Sequence, residues 1–242
     1  MKKLFAIVRQ NIIPLTALLL ITFLFSACEK NLNTGTQTPA AGLMAVNLVP
    51  DKDAIGVSLS NSTFTNSPLN YTNFTGGYNA VYVGNRDVVS YEYTTGAQLA
   101  AKTQLFEDSS YYSLFIVGAN DKYSNVVVKD DLDSLPSGTG EAFVRYVNAI
   151  PDSTIQPLVT ISSDGADVFN NTAPFTSVSG FKGVAAGDVS INVTSGTAVN
   201  ASRNITVEGG KIYTILLFGL PNATDTAKAV QIKFIQNGTI AP

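Results

Sequence analysis

The sequence predicts an all-β protein with two tandem immunoglobulin-like antiparallel β-sandwich domains after a lipoprotein signal peptide. Three observations lead to this prediction. Short runs of alternating apolar and polar residues recur between turns rich in Gly, Pro and Asp, which is typical of strands joined by tight turns. The chain repeats itself at an offset of 101 residues, and its amino terminus resembles an export signal that ends at the single cysteine.

The amino-terminal segment predicts a signal peptide over residues 1–27 and lipidation of Cys28. Three basic residues precede an apolar run over residues 12–25, which ends just before Ser26-Ala27-Cys28. The run is shorter than the roughly 20 residues that a membrane-spanning helix needs, so a signal peptide is favoured over a permanent span. We therefore expect an exported protein that lipid on Cys28 holds at a membrane. An ordinary signal peptide with an unmodified cysteine is the alternative.

The residues around Cys28 also suggest where the protein is held. Phe25-Ser26-Ala27-Cys28 resembles the relaxed lipobox of Bacteroidetes lipoproteins, which implies an outer-membrane anchor on the periplasmic face or at the cell surface. Residues 28–41 are polar, rich in Thr and without apolar periodicity. This stretch is predicted to be a flexible tether.

An internal repeat defines the domains. Residues 46–51 (Val-Asn-Leu-Val-Pro-Asp) return as residues 147–152 (Val-Asn-Ala-Ile-Pro-Asp). The same offset aligns Phe74-Thr75 with Phe175-Thr176, Asp87-Val88 with Asp188-Val189, and residues 112–118 with residues 213–219. Four matched blocks predict two copies of one domain; chance likeness between alternating β-sequences is the alternative. The predicted bounds are 42–133 for domain 1, 134–140 for a linker that contains Pro and Gly, and 141–242 for domain 2.

The second copy shows its strands most clearly. Apolar and polar residues alternate along residues 189–193, and residues 212–218 are almost wholly apolar, as expected of a central strand. Turn sequences such as Ser163-Asp164-Gly165 and Glu208-Gly209-Gly210 separate the runs. The predicted strands are residues 142–147, 158–161, 180–184, 189–193, 204–207, 212–218 and 229–235. About seven strands in about 100 residues favour an immunoglobulin-like sandwich.

Several of these segments resemble a known family. Ala149-Ile150-Pro151-Asp152, residues 184–193 and residues 208–215 are similar to the recurring segments of the DUF4397 family of secreted β-sandwich domains. Domain 1 departs from the pattern, with Asp108-Ser109-Ser110 in place of a Gly-Gly-Lys turn. The resemblance implies the fold over nearly the whole exported chain, and it brings no activity or functional residue with it.

Composition narrows the function classes. The chain has no His, and Cys28 is its one cysteine, so Ser-His-Asp and Cys-His catalysis and zinc sites built on these residues are excluded. We predict no catalytic residue, no metal site, no cofactor and no enzymatic activity. Removal of residues 1–27 leaves 12 basic and 18 acidic residues, a net charge of −6. Such a chain is not expected to bind nucleic acid.

Tyrosines suggest a ligand platform on domain 1. Eight of the ten tyrosines lie in the first copy, and exposed rings there would stack on sugars. The candidate platform comprises Tyr78, Tyr82, Tyr91 and Tyr93. Packing in the core and across strands is the alternative. Adjacent residues of a strand point to opposite faces, so at most one of Tyr111 and Tyr112 is expected in the core.

Acidic residues suggest turns more than ligand sites. Pro50-Asp51 and Pro151-Asp152 are predicted turns, in which Asp binds the backbone two residues on; calcium or ligand binding by Asp51, Asp53 and Asp152 is the alternative. The acidic cluster at the domain junction is predicted to be a solvated linker, with calcium binding as the alternative. This cluster comprises Asp130, Asp131 and Asp133.

Three short segments resemble the Bacteroidetes O-glycosylation sequon, in which Asp precedes Ser or Thr. They place candidate glycosylation at Ser134, Ser153 and Thr226.

Together, these features predict a non-catalytic membrane-anchored envelope protein that binds a macromolecule, either a glycan or another envelope protein. A structural or adhesin-like spacer is the alternative.

Overall fold

The computed structural model describes residues 38–240 of the chain, so the predicted signal peptide and Cys28 lie outside the described residues. The described part is built from seventeen strands without a helix, and within it there is no helix long and apolar enough to cross a membrane. The prediction of an all-β fold of sandwich domains is confirmed.

Domain 1 contains two sheets made from the first nine strands. The sheet that we call inner has the order β5-β1-β8-β9, and the outer sheet has the order β3-β2-β6-β7, with β4 paired to β2. The strands are β1 (Ala40–Asn47), β2 (Ala54–Leu59), β3 (Ser62–Thr63), β4 (Leu69–Asn70), β5 (Asn79–Tyr82), β6 (Gly84–Glu92), β7 (Gln98–Phe106), β8 (Tyr111–Ala119) and β9 (Lys122–Asp130).

Domain 2 repeats this arrangement with the remaining eight strands. Its inner sheet has the order β13-β10-β16-β17 and its outer sheet the order β12-β11-β14-β15. The strands are β10 (Ala142–Asn148), β11 (Leu158–Ser163), β12 (Ala166–Thr172), β13 (Lys182–Val184), β14 (Gly187–Ser195), β15 (Val199–Val207), β16 (Lys211–Phe218) and β17 (Gln231–Thr239).

The sheets are antiparallel except for one pair in each inner sheet. β1 runs parallel to β8, with Gly42 opposite Tyr111, and β10 runs parallel to β16, with Phe143 opposite Ile212. The first strand of each domain therefore lies beside its penultimate strand. Between these two parallel strands the chain passes through both sheets of the domain, as a parallel pair requires a long connection.

Strands up to β9 belong to the sheets of domain 1, and strands from β10 onward belong to those of domain 2. The predicted linker 134–140 lies between β9 and β10. At the other boundary, Ala40 and Ala41 already pair with Tyr82 and Val81 of β5. Strand β1 therefore begins two residues before the predicted start of domain 1, and these residues do not belong to the tether.

The two domains are joined by a shared apolar layer. Alternate residues of β1, such as Leu43, enter the core of domain 1, while the residues between them, such as Met44 and Val46, contact domain 2. Strands β8, β10 and β16 behave in the same way, so both faces of each inner sheet are buried. The interdomain layer comprises Met44, Val46, Leu48, Phe115 and Val117 of domain 1 with Val147, Ala149, Leu216, Phe218 and Ile235 of domain 2.

The internal repeat explains this layer, because each domain contributes the same face. Four pairs of layer residues are related by the offset of 101: Val46 with Val147, Leu48 with Ala149, Phe115 with Leu216, and Val117 with Phe218. Gly118 and Gly219 are related in the same way. Both have positive φ, and an added Cβ would lie 2.1 Å from the backbone carbonyl oxygen of Lys122 or of Ala229, respectively.

One of the four sequence alignments is wrong. Val46 of β1 bridges Phe74, whereas Val147 of β10 bridges Val178. The structural equivalent of Phe74 is therefore Val178 and not Phe175. The physical reason is a longer loop in domain 2, where β11 begins ten residues after Asn148, while β2 begins seven residues after Asn47.

We expect the two domains to unfold together, because the layer between them is a core that neither can bury alone. Differential scanning calorimetry should give one transition with equal calorimetric and van 't Hoff enthalpies. Leu216→Ala should lower the stability of this one transition by about 2–5 kcal/mol, the usual cost of such a cavity. The matched control Leu158→Ala, at an exposed position of the outer sheet, should change it by about 0.5 kcal/mol or less. Two resolved transitions, of which Leu216→Ala shifts only one, would contradict a shared core.

Candidate functional site

A buried polar network crosses the interdomain layer and is centred on Arg145 of β10. The arginine residue is only 2% exposed, and each of its three guanidinium nitrogens donates a hydrogen bond. Nη1 donates to Asp130 Oδ1 (2.5 Å), Nη2 to Ser113 Oγ (2.8 Å) and Nε to Thr214 Oγ1 (2.9 Å). Ser113 and Thr214 are 101 residues apart in the repeat. Arg145 therefore connects equivalent positions of the two inner sheets.

The network closes through Tyr78 and Asn237. Asp130 Oδ2 accepts hydrogen bonds from Ser113 Oγ (2.6 Å) and from the Tyr78 hydroxyl (2.5 Å). Asn237 Nδ2 donates to the Tyr78 oxygen (3.2 Å), and Asn237 Oδ1 accepts from Thr214 (2.7 Å). Burial, and then the negative charge of Asp130, raise the pKa of Tyr78, so this phenol stays a donor over the physiological pH range.

Two aromatic rings complete the surroundings of the guanidinium group. Its central carbon lies 4.3 Å from the ring centre of Phe181 and 5.7 Å from that of Phe115. Guanidinium groups stack favourably on such faces. Arg145 is therefore paired, hydrogen-bonded and covered, as a buried charge needs to be.

The acidic cluster is the solvated linker that the sequence predicted at two of its three residues, and Asp130 is the exception. Asp131 and Asp133 are exposed, but Asp130 is buried because Arg145 lies opposite it. The part of the chain that the structure describes has no group of three or more His, Cys, Asp or Glu placed to hold a metal ion. An available signal was a lone arginine within the apolar strand Ala142–Asn148.

Beside this network lies an open cleft between the domains, which we call the linker cleft. It has a volume of about 540 Å³, within the range of small-molecule sites. Both domains and the linker contribute: the walls are Tyr78, Tyr111, Leu132, Asp133, Leu135, Ser137, Ile212, Asn237, Gly238, Thr239 and Ile240. Mixed aromatic, aliphatic and polar walls of this kind suit an amphipathic ligand.

A tyrosine pair forms the domain 1 side of the linker cleft. The rings of Tyr78 and Tyr111 lie 5.0 Å apart at 64°, and Tyr111 is 40% exposed while its neighbour Tyr112 is buried. The expectation that one of Tyr111 and Tyr112 at most is in the core is confirmed. A Cβ on Gly42 would lie 2.6 Å from Cδ1 of Tyr111, so this glycine of β1 lets the ring pack flat against the backbone.

The four tyrosines of the predicted platform do not lie together. Tyr78 is held in the buried network, and Tyr82 is exposed on β5 of the inner sheet, with the Arg86 guanidinium 5.8 Å from its ring centre. Tyr91 belongs to the outer sheet, where its ring covers Gly56, and Tyr93 follows the end of β6. The prediction of one platform is wrong because β5 and β6 belong to different sheets. The structure instead pairs Tyr78 with Tyr111.

The two Pro-Asp turns have different roles. Asp152 accepts hydrogen bonds from the backbone N–H (2.8 Å) and hydroxyl (2.6 Å) of Thr154, which confirms the predicted turn and lowers the pKa of Asp152. Asp51 instead accepts from the N–H of Asn120 (2.7 Å) and the hydroxyl of Tyr123 (2.9 Å). It therefore ties its loop to the β8–β9 turn, whereas Asp53 is exposed.

Sequence reasoning missed a pair of structural asparagines. Asn47 and Asn148 are fully buried, and their amides donate to the carbonyl oxygens of Leu69 (2.9 Å) and Ala173 (2.7 Å). Their side-chain oxygens accept the N–H of the residue two places on. The same Asn in both copies of the repeat was the available signal.

The remaining predicted sites are the three candidate glycosylation residues, which are exposed, and Cys28, which lies outside the described residues. Ser134, Ser153 and Thr226 are all exposed, and the Ser134 hydroxyl donates to the carbonyl oxygen of Asp131 (3.0 Å). Glycosylation at these three residues stays a prediction. Cys28, the predicted lipidation site, precedes the described residues, so its lipidation also stays a prediction.

Comparison with protein families gives two matches to one model. The model, described as "Domain of unknown function (DUF4397)", matches residues 41–154 and residues 142–239. The two matches overlap in β10 and the loop after it. Comparison with the curated proteins gave no match.

Removal of the arginine should cost more than the ion pair contributes. The variant Arg145→Met leaves Asp130 buried without its cation. Methionine is chosen because Met44 is the residue at the equivalent position of domain 1. We expect a loss of about 3–5 kcal/mol, and the double variant Arg145→Met/Asp130→Leu should recover much of it. Urea denaturation measures both. Lys129→Met, which removes the exposed Lys129–Glu107 pair, is the control and should cost about 1 kcal/mol or less. A loss that small for Arg145→Met would contradict a central role for the pair.

Proposed function

The chain belongs to the DUF4397 family, with two domains in tandem. We propose that it is a non-catalytic envelope lipoprotein that uses its two sandwich domains to bind a macromolecule. The macromolecule is a glycan or another envelope protein. The observation that supports the proposal best is the linker cleft, to which both domains contribute and whose tyrosine wall is fixed by a buried network.

The composition of the chain supports a binding role without catalysis. With no His and its one Cys at the predicted lipidation site, the chain lacks the commonest general base and, once acylated, would lack a free thiol. Binding through aromatic rings, hydroxyls and a carboxylate needs none of these groups. The net charge of −6 after signal removal disfavours a nucleic acid partner.

Membrane attachment is the second part of the proposal. Lipid on Cys28 would hold the protein at the outer membrane, on the periplasmic face or at the cell surface. The order of the segments supports this, since the predicted export signal and Cys28 precede the sandwiches in the sequence.

A structural or adhesin-like spacer remains the second candidate. The observation that favours it is the interdomain layer, which joins the two sandwiches in one compact unit. A spacer needs no ligand, so binding measurements separate the two functions.

We expect at least one macromolecular ligand to be detectable with the soluble form that starts at Glu29, which keeps the whole compact unit from Pro39 onward. Affinity electrophoresis through gels that contain plant, host or bacterial polysaccharides tests the glycan class. Chemical crosslinking in intact cells, followed by mass spectrometry, tests envelope proteins. A ligand in either assay supports the proposal. Unretarded migration in every gel, together with no specific crosslink, would leave the spacer as the better account.

The anchor is tested separately. Cys28→Ser should abolish incorporation of an alkyne-labelled fatty acid, because only a thiol forms the thioether to diacylglycerol. The same variant should be lost from the membrane fraction. Ser26→Ala, a conservative change next to the cleavage site, is the control and should change neither fatty-acid incorporation nor membrane association. Acylation that persists in Cys28→Ser would contradict the proposed lipidation site.

A further inference from the structure

We propose that the linker cleft binds a segment of neutral glycan, with the ring of Tyr111 as its stacking surface. This inference rests on the proposed binding function and names the site and the ligand class. It moves the site from the predicted tyrosine platform on domain 1 to the junction between the domains.

The chemistry of the walls suits a sugar. One face of a pyranose ring presents C–H groups, which pack well on an aromatic ring, and its edge presents hydroxyl groups, which need donors and acceptors. Tyr111 is 40% exposed, and the polar residues Asp133, Ser137 and Thr239 line the same cleft. An apolar ligand would leave these polar groups without partners, whereas an oligosaccharide satisfies both kinds of wall.

The charges of the cleft favour a sugar without acidic groups. Among the described residues that line the cleft there is no Lys or Arg, while Asp133 is one of them. Uronic acids and sulfated sugars would therefore be repelled by Asp133 without a cation from these lining residues to pair with, which costs binding free energy.

The site is held in shape before any ligand arrives. The Tyr78 hydroxyl is fixed by Asp130 and Asn237, and Tyr78 in turn packs against Tyr111. On the linker side, the N–H of Leu132 donates to the Asp130 carbonyl oxygen (2.9 Å), and the N–H of Leu135 donates to that of Leu132 (3.2 Å). A preformed site loses less conformational entropy on binding.

A second tyrosine provides a matched control. Tyr82 is more exposed than Tyr111, at 68%, and it lines a separate cleft of about 200 Å³ with Phe64 and Arg86. If any exposed tyrosine of domain 1 sufficed, Tyr82 would matter more than Tyr111. The structure assigns the larger effect to Tyr111, because its cleft, unlike that of Tyr82, combines aromatic, aliphatic and acidic walls from both domains.

Affinity electrophoresis with two groups of polymers tests the inference. The neutral probes are galactomannan, xyloglucan, mixed-linkage β-glucan and dextran, and the acidic probes are polygalacturonate and alginate. We expect retardation by at least one neutral polymer and by neither acidic one. Tyr111→Ala should raise the apparent Kd about tenfold or more, Tyr111→Phe should keep most of the affinity, and Tyr82→Ala should leave it unchanged.

A second variant separates loss of the site from loss of the fold. Ser137 is an exposed linker residue that lines the cleft, so Ser137→Trp should block binding while the circular dichroism spectrum and unfolding midpoint stay those of the parent chain. The same two measurements on Tyr111→Ala show whether it is folded.

Three results would overturn the inference. Retardation by a neutral polymer that survives both Tyr111→Ala and Ser137→Trp, or that Tyr82→Ala removes, would place the glycan elsewhere and leave the proposed function standing. Retardation by acidic polymers alone would refute the ligand class. Migration unaffected by any polymer, with a crosslinked envelope protein in cells, would refute a glycan site while the wider binding function holds.

Discussion

Each inner sheet has to be covered on both of its faces, and the rest of the structure depends on this constraint. Strands β1, β8, β10 and β16 carry apolar residues on both sides, so neither sandwich can leave its inner sheet open to water without exposing a large apolar area. Packing the two inner sheets against each other satisfies both at once. The positions of the linker, the polar network and the linker cleft all follow from that pairing.

The polar network sets the pairing apart from purely apolar contact. An apolar layer alone tolerates small slips between sheets, because dispersion and burial are nondirectional. The hydrogen bonds of Arg145 allow only one relative position of the sheets, since its three nitrogens have to reach Asp130, Ser113 and Thr214 together. Asp130 and Asn237 then extend the same geometry to Tyr78, so the wall of the linker cleft has its place fixed by bonds that lie in the interior.

Much of the fold is accessible from the sequence, because strand alternation, turn residues and the repeat are local signals. The blocks around Val46 and Phe115 find their counterparts at Val147 and Leu216. The alignment of Phe74 with Phe175 fails because three extra residues before β11 shift the loop, and a fixed offset does not register a loop insertion.

The candidate site was harder to predict, since it depends on contacts between residues far apart in the chain. Asp130 looks like a member of an acidic run until Arg145, on another domain, is placed opposite it. Tyr82 and Tyr91 look like neighbours in the sequence although they lie on different sheets. The proposed anchor at Cys28 rests on a local sequence pattern and depends on no such contact.

Since both domains offer the same face to the shared layer, the pair has the character of a twofold homodimer whose subunits are joined in one chain. In an isologous interface of separate identical subunits, every substitution appears twice, once on each side. Covalent linkage removes that restriction and lets the two sides diverge. Positions 44 and 145 show the result: one side keeps a methionine, the other carries an arginine, and a charge that two identical subunits would have to accommodate in duplicate is introduced once. The same freedom lets a cleft form at the junction with walls that differ from one side to the other, which suits a ligand that has a direction.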